Sequence, residues 1–280
     1  MNAIEVSDWE TFEQKITELR KQCQKSSSPL LFRGQGNSEW PLTTTLDRNT
    51  RNGMTFREYC DLVIGSIGPE VKTFSGMDVP ERDQEIAEGF FDKESYFSFA
   101  SHQFGNMPLY RYMAYLRHLN FPSPLLDWSR SPHVAAFFAF RDDPLVNVEK
   151  RSIYVYCELP AGVKGGAVGE PTIFPLGPHV QTHHRHFRQR CDYTFCGGFD
   201  VSNAQWRFES HQKVFDNRRP NQDFLWKFNI PSSERDKVLR IQNDYNLNAF
   251  SLFGSEESLL ETMWFREYVL RRSGTRAEAA

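Results

Sequence analysis

The chain has 280 residues, of which 39% are hydrophobic and 14% aromatic, and 33 Lys and Arg against 36 Asp and Glu give a net charge of −3. This apolar content excludes a disordered chain, and the charge argues against an obligate nucleic-acid coat. Five cysteines without framework spacing predict free thiols. Because no export signal is apparent and no apolar run approaches the ~20 residues that span a bilayer, we expect a cytoplasmic protein without membrane contact.

The N-terminal part is predicted to be mainly helical. Ser7 and Glu10 have the spacing of a capping box, and apolar residues follow at helical intervals. A break rich in serine separates this helix, within residues 1–28, from a short buried strand over 29–34. Further helices are expected over 55–74, with an interruption near 65–69, and more weakly over 84–91.

The middle of the chain predicts a helix, a loop and a second helix. Helical spacing of apolar residues begins at Leu109, and two prolines turn the continuation over 117–124 into a loop. A strand end is expected at 125–128. Ser131 suits an N-cap and Pro132 the first helical position, so an almost entirely apolar, buried helix is expected to follow up to residue 140.

The C-terminal half mixes strands and helices. Strands are expected over 151–159 and 224–230, with a loop over 160–180 between them. Ser232 or Ser233 is expected to begin a helix that reaches residue 244. The remaining expectations are an extended segment over 249–253 and a final helix capped by Ser255, with Leu259, Met263 and Tyr268 on its core face.

These elements follow no regular βαβ rhythm, which indicates the α+β class. We expect a single mixed domain with a central, mostly antiparallel sheet and an N-terminal helical portion. Its bounds are predicted as an N-terminal helix over 1–28, a main domain over 29–272 and a disordered tail over 273–280.

Arg33 is the first candidate site residue, because it lies in an otherwise apolar strand. A buried guanidinium costs several kcal/mol unless a carboxylate, carbonyl or anion accepts its hydrogen bonds. Arg33 therefore either holds a ligand phosphate or carboxylate, with Gly34 allowing the ligand to approach closely, or forms a structural pair with Asp127.

The turn before the buried helix brings Asp127, Ser129 and a helix N-terminus together, and helix N-termini attract anions. Asp127 is also the candidate partner of Arg33. The hydroxyl of Ser129 either makes local hydrogen bonds, as is common at such turns, or contacts a ligand.

Residues 183–190 contain three arginines and three histidines, a local positive charge suited to a phosphate-bearing ligand or to an ordinary solvated loop. A zinc site is the alternative, but its spacing fits no common structural site, so we expect no metal. The residues of this zinc alternative would be His183, His184, His186, Cys191 and Cys196.

The sequence contains no dinucleotide-binding, P-loop, nucleophile-elbow or HExxH motif.

Four ordered motifs resemble the FRG domain, a family of bacterial and phage proteins named after its Phe/Leu-Arg-Gly motif. The match runs over about 29–270, with Asn120 in place of a family glycine and Ser-Pro at 123–124 in place of Thr-Arg. The motifs are Phe32-Arg33-Gly34-Gln35 with Trp40-x-Leu42, His118 through Leu-Leu-Asp127-Trp-Ser129 into the apolar helix, Arg185-x-x-x-Gln189 with Tyr193-Thr194, and Leu252-Phe253 with Glu256.

The resemblance implies a cleft that binds a nucleotide-like anion. A further similarity to ADP-ribosyltransferase sites implies NAD as cofactor and a catalytic set of Arg33, Ser129 and one of Glu256 or Glu257, with Glu256 taken first. The resemblance also implies a biological role in a toxin system or in phage defence. The rival interpretation is a non-catalytic module that binds nucleic acid or a protein partner through 183–190. The ligand-binding residues implied are Gln35, Trp40, His118, Asp127, Arg185, Gln189 and Tyr193.

Overall fold

An eight-stranded mixed sheet is the framework of the protein. The computed structural model describes residues 3–26, 28–50, 54–79, 109–141, 148–158, 169–216 and 223–270. The strands are β1 (Ile4–Glu5), β2 (Leu31–Gln35), β3 (Leu126–Ser129), β4 (Lys150–Cys157), β5 (Thr172–Pro175), β6 (Cys191–Asp200), β7 (Gln205–Phe208) and β8 (Phe224–Pro231).

The sheet runs in the order β1-β8-β4-β2-β3-β6-β5, and β7 pairs with β6. Only the β1–β8 pair is parallel among the described strands, and the other pairs are antiparallel. The prediction of an α+β fold with a mostly antiparallel sheet is therefore confirmed. β2 and β3 lie next to each other in the centre, and this places Arg33 beside Asp127.

The helices cover both faces of this sheet. They are α1 (Trp9–Gln22), α2 (Thr45–Asn49), α3 (Phe56–Cys60), α4 (Gly68–Ser75), α5 (Tyr110–His118), α6 (Pro132–Phe140), α7 (Arg185–Arg188), α8 (His211–Asp216), α9 (Arg235–Asp244), α10 (Ala249–Phe253) and α11 (Glu256–Trp264), with π-helical turns at Asp61–Ser66 and Phe265–Leu270 and 3₁₀ turns at Cys23–Lys25 and Ser232–Glu234. None of the helices in these described ranges is long and apolar enough to cross a membrane.

The core is divided between the two faces of the sheet. On one face α1, α6 and α9 pack against Phe32 and Val155. On the other, alternate residues of the same strands, such as Leu31 and Tyr156, pack against Trp128. A third cluster joins α3 and α5 to β6 and β7. Apolar residues at period two in the strands and period 3.6 in the helices account for this arrangement.

Several local predictions are confirmed. The interrupted helix over 55–74 is seen as α3, a π-helical turn and α4. The buried helix begins as predicted, since the Ser131 side chain accepts from the Val134 N–H and Pro132 is the first helical residue. All five cysteines are free. The helix expected over 84–91 and the tail over 273–280 lie outside the described residues.

Three predictions were wrong. The N-cap of α1 is Asp8, which accepts from the Thr11 N–H, and not Ser7. Residues 249–253 form α10, because Asn248 caps them with a capping box, and are not extended. The segment over 160–180 was expected to be a loop, but it contains β5, which pairs with β6.

The face of α11 also differs from its prediction. Ser255 caps this helix as expected. However, Leu259, Met263 and Tyr268 are 40%, 52% and 59% exposed, so they do not form a core face. The buried side of α11 consists of Ser258 and Thr262.

Gly34 allows close packing of β2 on α6. A Cβ added at Gly34 would lie 1.9 Å from the Ala135 carbonyl oxygen and 2.7 Å from the Ala139 nitrogen. The missing side chain therefore makes room for a helix backbone, whereas the sequence suggested room for a ligand. Phe32 on the same strand is buried against this helix.

Candidate functional site

A cavity of about 320 Å³ opens beside the centre of the sheet, where β2, β3 and α6 meet. This volume is at the lower end of the range of small-molecule sites. Five arginines line it, each from a different part of the fold, whereas Asp127 is its only acidic lining residue among the described ranges. The arginines are Arg33 on β2, Arg48 on α2, Arg117 on α5, Arg141 just after α6 and Arg185 on α7.

Asp127 lies in the cavity lining between two arginines. Arg33 Nη1 donates to the Asp127 carbonyl oxygen at 2.7 Å and to its Oδ1 at 2.5 Å, and Arg117 Nη2 donates to the same Oδ1 at 2.7 Å. Burial raises the pKa of Asp127, but Arg117 and Arg33 outweigh it and hold the pKa well below its ordinary value. Asp127 is therefore ionised, and one carboxylate offsets two guanidinium charges.

Arg48 adds a third positive charge to this group. It is exposed and forms no ion pair with any residue that the structure describes. Although Arg48 is exposed as a whole, partial burial of its guanidinium lowers its pKa most, Arg33 and Arg117 lower it further, and Asp127 only partly opposes them. This part of the cavity lining thus carries more positive charge than its own carboxylate neutralises.

Three of the arginines also have unused hydrogen-bond donors. The Nε–H groups of Arg33, Arg117 and Arg185 are buried and have no hydrogen-bond partner in the described part of the chain. Buried polar groups are nearly always hydrogen-bonded, so unsatisfied donors at a cavity indicate a place for an acceptor such as water or an anion.

A second part of the cavity lining is formed by Phe253 on α10 and two arginines. The guanidinium carbons of Arg141 and Arg185 lie 4.4 Å and 5.2 Å from the centre of its ring. Arg141 makes a two-pronged ion pair with Glu261, at 2.7 and 2.6 Å. Arg185 instead donates through Nη1 to the His118 carbonyl oxygen at 3.0 Å. Arg141 is thus neutralised, while Arg185 keeps its charge toward the cavity.

Hydrogen bonds of Ser129 and Gln189 connect the segments that line the cavity. The Ser129 hydroxyl donates to the Gln189 carbonyl oxygen at 2.8 Å and accepts from the Ser131 N–H at 3.1 Å. The Gln189 side chain in turn donates to the Leu252 carbonyl oxygen at 3.2 Å. These hydrogen bonds tie β3 and the start of α6 to the segment that carries Arg185.

A compact group of two histidines and a cysteine adjoins the cavity, and His118 and Cys191 of this group line it. Donor atoms of His118, His186 and Cys191 lie within 4.8 Å of one another. The hydroxyl of Tyr193 already bonds to both histidines, at 2.7 and 3.1 Å, and the Cys191 thiol donates to Gln189 Oε1 at 3.7 Å. Of the five residues considered for zinc from the sequence, only His186 and Cys191 belong to this group.

The structure brings eight of the ten predicted site residues to one cavity. Tyr193 is not part of the lining but bonds to His118, which is. Glu256 and Glu257 are exposed at the start of α11 and do not line the cavity. The eight lining residues are Arg33, Gln35, Trp40, His118, Asp127, Ser129, Arg185 and Gln189.

Sequence reasoning missed Arg48, Arg117 and Arg141. Each stands in or next to a helix where an arginine is unremarkable, and only the tertiary fold brings it to the cavity. Arg117 gave one usable signal, because it directly precedes His118 of the motif.

The FRG domain family model matches residues 28–147 of this α+β protein. An FRG domain is therefore present within residues 28–147. The matched segment carries four of the five cavity arginines together with Asp127 and Ser129, whereas Arg185 lies beyond it. No curated protein and no solved structure matches the chain.

Proposed function

We propose that the cavity binds a phosphate-bearing ligand of the nucleotide class, with NAD as the most concrete candidate. The observation that carries this proposal is the charge of the lining: five arginines contact only two acidic side chains, Asp127 and Glu261, among the described residues. Arginine forks match phosphate oxygens in geometry and charge. Arg33, Arg48 and Arg117 would hold the phosphates, and Arg185 would close the other side.

The same cavity supports NAD better than it supports a nucleic acid. In the basic segment 183–190, Arg185 lines the cavity and His186 bonds to Tyr193 and Pro178. Arg188 donates to carbonyl oxygens of α10. Arg188 and Arg190 are exposed, but Arg185 faces the cavity, so the charges of this segment are divided, whereas a nucleic-acid surface would present them together to solvent.

ADP-ribosyl transfer or NAD cleavage is the reaction that the ADP-ribosyltransferase similarity suggests. Bound NAD would supply the glycosidic bond to nicotinamide. Arg33 and Ser129, the phosphate anchor and the ribose-orienting hydroxyl of that similarity, line the same cavity. Incubation of the purified protein with NAD should then release nicotinamide. Saturable NAD binding without release would reject the reaction and leave the binding function in place.

Arg48 offers a clean test of binding, because its substitution breaks no ion pair. We expect Arg48→Gln to weaken ADP-ribose or NAD binding about tenfold, which corresponds to ~1.4 kcal/mol and is typical of one charged hydrogen bond. The melting temperature should stay unchanged. Isothermal titration calorimetry measures the affinity, and differential scanning calorimetry the melting temperature.

Arg188→Gln is the matched control, since it removes the same charge from the basic segment outside the cavity. It should leave the affinity for ADP-ribose unchanged. If Arg188→Gln weakens binding and Arg48→Gln does not, the ligand binds along 183–190 and the cavity is not the site.

A further inference from the structure

A chain of hydrogen bonds leads from the cavity into the protein through His118. His118 Nε2 lies 2.7 Å from the Tyr193 hydroxyl, and this hydroxyl lies 3.1 Å from His186 Nδ1. His186 Nε2 then lies 2.9 Å from the Pro178 carbonyl oxygen. His118 itself lines the cavity.

The direction of these hydrogen bonds is fixed at the far end. A carbonyl oxygen can only accept, so His186 Nε2 carries the hydrogen. Burial lowers the pKa of His186 and lowers that of His118 to about 4, so both rings are neutral near pH 7. His186 Nδ1 must then accept the single hydroxyl hydrogen of Tyr193.

It follows that the Tyr193 oxygen accepts from His118 Nε2–H. A neutral imidazole with a hydrogen on Nε2 has a lone pair on Nδ1. His118 Nδ1 has no hydrogen-bond partner among the described residues, and it is not fully buried, so a ligand in the cavity can reach it. His118 therefore offers a neutral acceptor in a cavity that is lined by five arginines, all of which are donors.

Gln35 offers a second acceptor by the same reasoning. Its Nε2 donates to the Pro41 carbonyl oxygen at 3.2 Å, which fixes the amide orientation. The other atom of the amide, Oε1, is an acceptor. It is buried and has no hydrogen-bond partner among the described residues. Gln35 also lines the cavity.

We propose that His118 Nδ1 and Gln35 Oε1 accept hydrogen bonds from ligand hydroxyl groups, so that the site recognises a phosphorylated polyol, such as the ribose phosphate of a nucleotide, in preference to a bare anion. This inference rests on the proposed function, because the arginines must hold the phosphates. Gln35 Oε1 discriminates most strongly, because it is buried and a ligand that lacks the donor leaves it unsatisfied.

Binding of three ligands tests the inference separately from the proposed function. Calorimetric titration should show that ADP binds at least tenfold more tightly than 2′,3′-dideoxy-ADP, which keeps the phosphates and the base but lacks both ribose hydroxyls. Pyrophosphate should also bind, but more weakly than ADP. Equal affinity for ADP and its dideoxy form, with pyrophosphate bound, would overturn the inference alone. Failure of both ADP and pyrophosphate to bind would reject the proposed function and the inference with it.

Two further measurements locate the acceptors. In ¹⁵N NMR spectra of the wild-type protein, His118 and His186 should both be neutral Nε2–H tautomers, and a hydrogen on His118 Nδ1 would contradict the assignment. Gln35→Leu and His118→Phe should each reduce the preference for ADP over dideoxy-ADP while pyrophosphate affinity stays the same. A preference that survives both substitutions would overturn the inference.

Discussion

Asp127→Asn is expected to lower the free energy of unfolding by about 3 kcal/mol. Removing one member of a buried ion pair leaves the remaining charge without compensation, which costs ~3–5 kcal/mol. Here two guanidinium groups, of Arg33 and Arg117, lose their shared carboxylate. The value lies at the lower end of the range because the Asp127 side chain is 29% exposed.

Urea denaturation measures this loss of stability. Binding of pyrophosphate should distinguish the variant from the wild type. Because the variant carries one more uncompensated positive charge, pyrophosphate should raise its melting temperature more than that of the wild type. Glu18→Gln is the control, since Glu18 pairs with Lys15 on the exposed side of α1. That substitution should leave the stability nearly unchanged. An Asp127→Asn variant as stable as the Glu18→Gln variant would contradict the electrostatic account of the cavity.

Gly34→Ala is expected to destabilise the protein by at least about 3 kcal/mol, above the ~1–3 kcal/mol that an extra methylene in a core usually costs. The added Cβ would overlap the Ala135 carbonyl oxygen and approach the Ala139 nitrogen. Both atoms are helix backbone, so no side-chain rotation relieves the overlap and α6 must move as a whole. Because α6 contributes Val134, Ala135 and Phe138 to the cavity, ligand affinity should fall too.

Gly65→Ala is the matched control for this substitution. A Cβ at Gly65 meets nothing within 4 Å. The change should therefore be neutral or should stabilise the protein by about 0.4–1 kcal/mol, through the lower entropy of the unfolded chain. Thermal denaturation of both variants checks the pair. Equal stability of the two would show that β2 and α6 are not packed through Gly34.

The sequence predicted best those elements that short-range patterns determine. Alternating apolar residues located β4 and β8, and the cap at Ser131 followed by Pro132 located α6. In contrast, a short and mostly apolar segment such as Ala249–Phe253 fits a strand or a buried helix equally well. The capping box at Asn248 decides for the helix.

The apolar stripe of α11 shows a second limit. Helical spacing identifies residues on one face, but it does not show whether another element covers that face. In α11 the polar residues Ser258 and Thr262 face inward, where Thr262 accepts from the Phe250 N–H. Leu259 and Met263 are left exposed.

The candidate site was partly predictable for the same reasons. Arg33 and Asp127 stand out because they interrupt buried strands, and the structure joins them. The sequence left open whether this is a structural pair or a ligand anchor; the structure shows the ion pair and places both residues in the cavity lining. Arg48 and Arg117 could not be found in this way, because nothing local distinguishes them from ordinary helix-surface arginines.

A crystal structure of the protein soaked with ADP-ribose tests the central claim most directly. The account predicts diphosphate density in the cavity, within hydrogen-bonding distance of Arg33, Arg48 or Arg117, with a ribose next to His118 or Gln35. A cavity that holds only water at saturating ADP-ribose, or a diphosphate bound along 183–190 outside it, would contradict the account.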